Sequence, residues 1–387
     1  MTVETAPLGE VATIERATVQ PDSIPDGETY VGLENITTEG SFSEVEKVAA
    51  GELKSGKFRF DDGHLLYGKL RPYLSKIAAP SFSGVCSTDI LPLRAGPRVD
   101  RKYLLHFLRT PEMVGHASKL ATGANLPRLS PKALAAFSIP LPPIEEQRRI
   151  AAVLDAADAL RAKRRQAIAE LDSLTQAIFI DMFAGRESAQ VTMQEIAEFK
   201  YGTSEKSARS GVTTLRIPNV IAGQVDYDDV KRVPVSESDL ERLKLDDGDV
   251  LFVRSNGNPD NVGRCAAFSR RIADRQGFTG PVVYASYLIR ARLRRATVEP
   301  VFLTTFLNGV IGRRSLRAAA KTSAGQYNIN TKGLGSIPIP LPPIGRQVVF
   351  RERATRVDQH RAAHEVQMGQ LDQFFASLQQ RAFRGEL

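Results

Sequence analysis

Apolar side chains return at heptad spacing in two stretches of the chain. In the first they are Ile150, Ala157, Leu171 and Ile178, with Val153, Leu160, Ala167 and Leu174 between them. In the second they are Phe350, Val357, Leu371 and Leu378, with His364 on the same seam and His360, Gln367 and Phe374 between. This is the spacing of a helix that buries one stripe. Each stretch follows a proline pair, Pro142-Pro143 or Pro342-Pro343, and proline suits a first helical turn but not a helix interior. Glu145 and Glu146 place negative charge at the positive end of the first dipole. Gly185 and Gly385 are natural stops. The pattern predicts two helices of roughly 40 residues, about 60 Å long at 1.5 Å per residue. Alone, each would expose its stripe, so the simplest burial is as a coiled-coil pair. A pseudo-twofold relation would set that pair antiparallel, with Arg164 and His364 in a polar layer at its midpoint. Elsewhere the pattern is mixed. Short apolar runs behind Asp-Gly turns, Gly63–Leu70 and Asp249–Val253, read as strands. Tyr103–Leu108 and Phe302–Leu307 read as matching helices.

The two halves are copies. Ile-Pro-Leu-Pro-Pro-Ile stands at residues 139–144 and again at 339–344. Upstream, Asp61-Asp62-Gly63-His64 faces Asp246-Asp247-Gly248-Asp249, and Thr122, Leu129, Lys132 and Leu134 face Thr322, Ile329, Lys332 and Leu334. Downstream, Leu171-Asp172 matches Leu371-Asp372 and Phe183 matches Phe383 at a constant offset, as a helix of fixed register requires. The expected architecture is therefore α/β (α+β) and duplicated. Two similar units, 1–143 and 187–343, are separated by two long antiparallel helices, 144–186 and 344–387, in a pseudo-twofold arrangement.

Charge separates the copies. Residues 1–143 hold 16 basic and 16 acidic side chains, whereas residues 186–343 hold 23 and 16, so the net charge of +8 sits mainly in the second unit. A basic balance points to a polyanion. The two cysteines, Cys86 and Cys265, make neither a metal-ligand spacing nor a disulfide framework, and a reducing cytoplasm is expected. No run approaches the roughly 18 apolar residues of a membrane span, and no leader pattern follows Met1.

Several motifs fall short. Gly51-Glu52-Leu53-Lys54-Ser55-Gly56-Lys57-Phe58 nearly spells a phosphate loop, but Phe58 stands where magnesium needs Ser or Thr, and a strand pattern follows. Asn258-Pro259-Asp260-Asn261 reads as a polar turn; it lacks the second proline and the aromatic residue of an amino-methyltransferase motif. His360 and His364 have metal-binding spacing without a third ligand. No nucleophile–base arrangement emerges, so the chain is expected to do no chemistry itself and to need no cofactor.

Basic, polar loops remain. In the first unit Lys69, Arg71 and Lys76 follow the expected strand, with Ser87, Asn125 and Arg128 nearby in the pattern. In the second, Arg254, Asn256 and Asn258 follow the equivalent strand, with Ser286 matched to Ser87 and with Gln326, Tyr327 and Asn328. Arg, Asn and Gln read guanine and adenine edges, while Lys, Ser and Thr more often hold the backbone. Arg290, Arg292, Arg294 and Arg295 on a strand-like run, and Arg313, Arg314, Arg317 and Lys321 on a helix, are phosphate candidates.

Duplicated proline clamp, following long helix and Glu146-Gln147 together resemble the specificity subunit of a type I restriction-modification system, over nearly the whole chain. In the second copy Arg346-Gln347 keeps only the glutamine, and Gly345 weakens helix propensity. The resemblance implies two target-recognition domains, each binding half of a split double-stranded DNA sequence, with the helix pair as a ruler for the spacer. It implies that the helices dock two modification subunits, with Glu146, Gln147 and Gln347 as docking residues. Those subunits would carry S-adenosylmethionine and methylate adenine, and restriction subunits using ATP and magnesium would join them. A fused or stand-alone DNA-modifying enzyme and a helical adaptor without sequence-specific DNA binding are the competing classes. The charge asymmetry predicts that residues 187–343 lose DNA affinity with salt more steeply than residues 1–143, by about 0.9 in log–log slope for each further phosphate neutralised. Equal slopes in a salt titration of the two segments would remove that asymmetry.

Overall fold

The computed structural model describes residues 4–221, 223–294, 296–323 and 325–387. They form two compact units, one of residues 1–165 with 366–387 and the other of residues 166–365. The two long helices run Ile144–Phe183 and Ile344–Phe383, 40 residues each. Each starts directly after its proline pair and stops before a glycine with positive φ, 67° at Gly185 and 73° at Gly385, a conformation that costs other residues energy. Gly345 does not shorten the second helix.

Each unit is built on the same four-stranded antiparallel sheet. In the first its order is Ala12–Ile14, Ile90–Ala95, His64–Gly68, Ile77–Ala78; in the second it is Ala197–Tyr201, Leu288–Leu293, Val250–Val253, Cys265–Ala267. The strands expected from the Asp-Gly turns are central, and every residue of His64–Gly68 and Val250–Val253 is buried. A second sheet carries one parallel pair in each unit, Glu28–Val31 with Gly84–Cys86 and Val212–Leu215 with Val282–Tyr284. The segment leading into each proline pair closes its unit as a strand, Ser138–Pro140 on Thr5–Pro7 and Pro338–Leu341 on Ala189–Thr192.

An arginine clamps each Asp-Gly turn. Arg94 bonds Glu15 and Asp61 at 2.7 Å each, and His64 lies 2.9 Å from the same two carboxylates. The Arg94 guanidinium pulls the Asp61 carboxyl down to about 2. At the equivalent register in the second unit, Arg292 bonds Asp246 at 2.8 Å and Asp249 at 2.9 Å. Beside it Arg290 is 1% exposed and donates to the carbonyls of Arg242 and Lys244.

Within each unit the opening part of one long helix packs antiparallel on the closing part of the other. In the first, Arg161 bonds Asp372 at 2.6 Å and its guanidinium lies 4.4 Å over the Phe375 ring, while Arg149 donates to the Leu387 carbonyl at 2.9 Å. In the second, Arg361 faces Asp172 at 3.8 Å and Phe350 packs on Phe179 and Phe183. These contacts correct half of the expected seam. Positions 150, 157, 171 and 178 face inward, but their partners are Leu154, Arg161, Ile168 and Thr175, each one residue on from Val153, Leu160, Ala167 and Leu174. Leu160 is 56% and Leu174 40% exposed. In the second helix Ala354, Arg361, Met368 and Phe375 take the inner places, and His360, Gln367 and Phe374 face out. Apolar character misled here because Arg161 and Arg361 bury stem and plane while keeping charged partners, as long amphipathic side chains do.

The helix starts are held by two buried amides. Gln147 accepts the Asp100 N–H at 2.8 Å and donates to the carbonyls of Arg98 (3.0 Å) and Pro142 (2.9 Å). Gln347 repeats this with the Glu299 N–H (2.9 Å) and the carbonyls of Thr297 (3.1 Å) and Pro342 (2.8 Å). Each ties the first helical turn to the loop before its unit's short helix, Arg101–Leu108 or Pro300–Asn308. Gln147→Ala leaves three partly buried backbone groups without their partner and should cost about 1–3 kcal/mol in urea unfolding. Gln147→Glu should do no better, because the carboxylate cannot donate to the two carbonyls. A loss below about 0.5 kcal/mol for both would show that the amide is not a latch.

Candidate nucleic-acid interface

In the first unit the chain leaves the buried strand His64–Gly68 into a short polar loop. Lys69 and Arg71 are joined through their backbone to the segment ending at Arg128: the Leu129 N–H donates to the Lys69 carbonyl at 2.9 Å and the Arg71 N–H to the Pro127 carbonyl at 2.8 Å. The Arg128 and Thr122 backbones bond each other, so residues 122–128, with Asn125 exposed near the tip, stand beside residues 69–76. Arg71 has φ 51° and ψ 61°, and Ser75 is also left-handed at φ 50°. Such a backbone costs a non-glycine residue about 1–3 kcal/mol and persists only where neighbouring bonds fix it. Here they do, since the Arg71 carbonyl also accepts the Leu74 N–H at 2.9 Å. Among the described residues the Arg71 guanidinium has no hydrogen bond or ion pair, and it is exposed. Tyr73, two residues on, is 55% exposed and had no signal in the sequence.

Two other basic residues of the loop pair are engaged, whereas the half-buried Lys69 side chain has no hydrogen bond or ion pair among the described residues. Lys76 donates to the Leu33 carbonyl at 2.5 Å, and Arg128 grips Asp89 at 2.9 and 3.3 Å. Ser87 receives the Asp89 N–H at 3.3 Å.

The second unit assembles the same loop pair. The Ile329 N–H bonds the Arg254 carbonyl at 2.9 Å, and Ser255-Asn256 pairs with Asn328-Tyr327 in a three-stranded sheet that includes Lys321–Ser323. Register thus sets Asn256 opposite Arg71 in the comparison of units, and Arg254 opposite Lys69. Arg254 lies 4.9 Å over the Tyr201 ring and donates to the Ser286 carbonyl at 3.3 Å. Asn256 Oδ1 accepts the Asn258 N–H at 2.9 Å and the Asn261 amide at 3.4 Å, and Asn258 Oδ1 accepts the Asp260 N–H at 2.9 Å. Gln326 is exposed and Tyr327 half-buried. Behind this loop, Arg313 donates to the carbonyls of Asp260 and Val262 at 2.9 Å each, and Arg317 pairs with Asp260.

Some expectations change. Arg290 is an internal clamp residue and no phosphate contact; Arg292, with its side chain 36% exposed, is engaged by Asp246 and Asp249; Arg294 is exposed, and Arg295 lies outside the described residues. Arg313 serves the loop behind which it sits, and Lys321 is on a strand past the end of the helix Val310–Ala319. Ser286 is one place off: Ser87 and Ala285 donate equivalent backbone bonds to Val31 and Leu215, so Ser286 corresponds to Thr88. Gln147 and Gln347 are buried within their own units and cannot form a docking surface, whereas Glu146 remains partly exposed beside Arg149 at 2.7 Å. Burial pushes both the Cys86 and the Cys265 thiols up to about 12, which leaves them protonated and unreactive near neutrality. No group of three His, Cys, Asp or Glu among the described residues is arranged to hold a metal ion, and no described helix is long and apolar enough to cross a membrane. What the paired loops offer is a set of hydrogen-bond donors and acceptors on fixed backbones, suited to reading a nucleic-acid groove.

A family model described as the type I restriction modification DNA specificity domain matches residues 1–171. The type I restriction enzyme EcoKI specificity subunit of Escherichia coli is 29% identical over 331 residues, covering 79% of this chain and 69% of that protein. The StySPI specificity subunit of Salmonella potsdam is 25% identical over 330 residues, with the same coverage, 79% and 69%. In solved structures, a chain from the type I R-M system superposes with a TM-score of 0.62 at 18% identity, covering 99% of this chain and 98% of that one. The S subunit from M. genitalium gives 0.59 at 13% identity, covering 99% and 96%. At those identities the superpositions speak for the fold.

The backbone at Arg71 yields a direct test. Glycine relieves a left-handed cost of about 1–2 kcal/mol and loses up to about 1 kcal/mol through the freer unfolded chain. Arg71→Gly should therefore unfold at an unchanged or slightly higher urea midpoint, and Arg71→Val at a lower one. A clear fall for Arg71→Gly would mean that the side chain itself holds the loop.

Proposed function

We propose that this chain is a specificity subunit of a type I restriction-modification system, a reading supported by its similarity to that family, and that its parts serve sequence recognition as follows. Each unit reads one half of a bipartite double-stranded DNA site through its paired loops, residues 69–76 with 122–128 in the first and 254–258 with 321–328 in the second. The observation that carries this reading is that the same loop pair follows the same buried strand in both units but bears different side chains. A shared frame with exchanged donors is what two different half-sites require.

The long helices dock two modification subunits. Leu160, Leu174 and Phe374, exposed on the outer helix faces, are apolar anchors for that contact, with Glu146 at the rim. S-adenosylmethionine and adenine methylation belong to those partners, and ATP and magnesium to restriction subunits that join the complex. The chain contributes recognition and no bond-making step, and it works in the cytoplasm.

The test is capture of random genomic fragments by the chain together with its modification subunit, followed by sequencing. Two short conserved blocks separated by a fixed, sequence-free spacer are expected. Fragments with no shared sequence would favour a helical adaptor, and S-adenosylmethionine binding by the chain alone would favour an enzyme.

A further inference from the structure

We propose that Arg71 reads a guanine in the half-site bound by the first unit, an inference that rests on the DNA-recognition reading above. Three observations converge on this one side chain. Its backbone is held left-handed, at φ 51° and ψ 61°, directly before Pro72, where extended conformations are preferred. The bonds that hold it there, from its N–H to Pro127 and from Leu74 to its carbonyl, come from both strands of the loop pair. The fold therefore fixes where this side chain leaves the surface.

Second, Arg71 is the arginine that the loop leaves unengaged. Arg128 is neutralised on Asp89, and Lys76 is turned inward onto the Leu33 carbonyl. Among the described residues no acceptor holds the Arg71 guanidinium, so its five donors are unpaired on an exposed residue of a loop pair that also exposes Tyr73 and Asn125. A contact made only for charge needs no fixed backbone, because a lysine on a mobile loop finds a phosphate as well. A guanidinium aimed by an over-determined backbone suits the planar pair of acceptors, N7 and O6, on guanine.

Third, the second unit also presents a donor at this register. Asn256, the counterpart of Arg71, has its oxygen engaged by Asn258 and Asn261, which leaves its amide N–H groups without a hydrogen-bond partner among the described residues. Two unrelated side chains at one position thus share donor character while differing in shape.

The experiment selects DNA from a random library with the full chain and its modification subunit, comparing the native chain with Arg71→Ala, Arg71→Lys and Arg71→Gly. The native complex should select a bipartite site containing a G·C pair whose preference falls roughly 10- to 100-fold in all three variants. The other half-site should be selected unchanged, which also shows that the variants fold. Arg71→Lys should keep most of the affinity while losing that base. Retention of every base preference in Arg71→Ala, or uniformly weaker binding with preferences intact, overturns the proposal; the latter is the signature of a phosphate contact. Loss of preference at an A·T pair overturns the guanine assignment. If the native complex selects no bipartite site, the DNA-recognition reading itself fails, a result distinct from any change among the variants.

Discussion

Each unit depends on a helix end delivered from a distant part of the chain. In the first, Phe375, Ala382 and Phe383 of the second long helix enter the core, where Phe383 lies 5.2 Å from both the Tyr103 and the Phe107 ring. In the second, Phe179 and Phe183 of the first long helix pack on Phe302 at 5.4 and 4.9 Å. Aromatic side chains of this size carry much of a core's burial. Neither sheet-bearing segment closes its core from its own residues. The proline pairs divide the chain by sequence, at 143 and 343, but the cores divide it elsewhere. Fragments cut at the prolines would expose Tyr103 and Phe302, so comparing the units requires the helix segments to be present.

The same dependence explains why the buried glutamines matter. A helix that must serve two cores cannot leave its domain at an arbitrary angle. Gln147 and Gln347 satisfy three backbone groups each at the first turn, directly beside the short helix that receives the aromatic side chains. A single amide with both donors and its acceptor used has one orientation. That is a structural reason for glutamine at both sites, independent of any partner.

The helices, the duplication and the central strands were legible because each rests on local chemistry: proline at a start, glycine at a stop, an apolar run behind an Asp-Gly turn. The inner face of the helix pair was half legible. Leu160 and Leu174 look like seam residues and are not, since Arg161 and Thr175 take those places and Asp372 and Phe375 receive the arginine. The loop sites were legible as groups. Which members are free was not, because engagement of Lys76 by Leu33 or of Arg128 by Asp89 depends on residues brought together by the sheets. Net charge carries a similar ambiguity of place: Arg290 and Arg292 add to the basic count of the second unit, yet Arg290 is buried on backbone carbonyls and Arg292 is paired with Asp246 and Asp249.

Frame and reading surface are thus under different constraints. The frame repeats because the clamps at Arg94 and Arg292, the amides at Gln147 and Gln347 and the exchanged aromatic ends must all fit one geometry. The loops do not repeat. The first fixes an arginine by a strained backbone before proline, whereas the second fixes Asn256 and Asn258 by side-chain bonds to the following turn, with Arg313 and Arg317 behind it. Both devices make a donor rigid before any ligand arrives, which reduces the ordering cost of binding. Because strain in one loop and an asparagine network in the other are local, either can change without disturbing the sheet that carries it. A duplicated frame with independently variable loops can pair any two half-sites, and the unlike solutions at Arg71 and Asn256 are what that independence looks like at the level of single side chains.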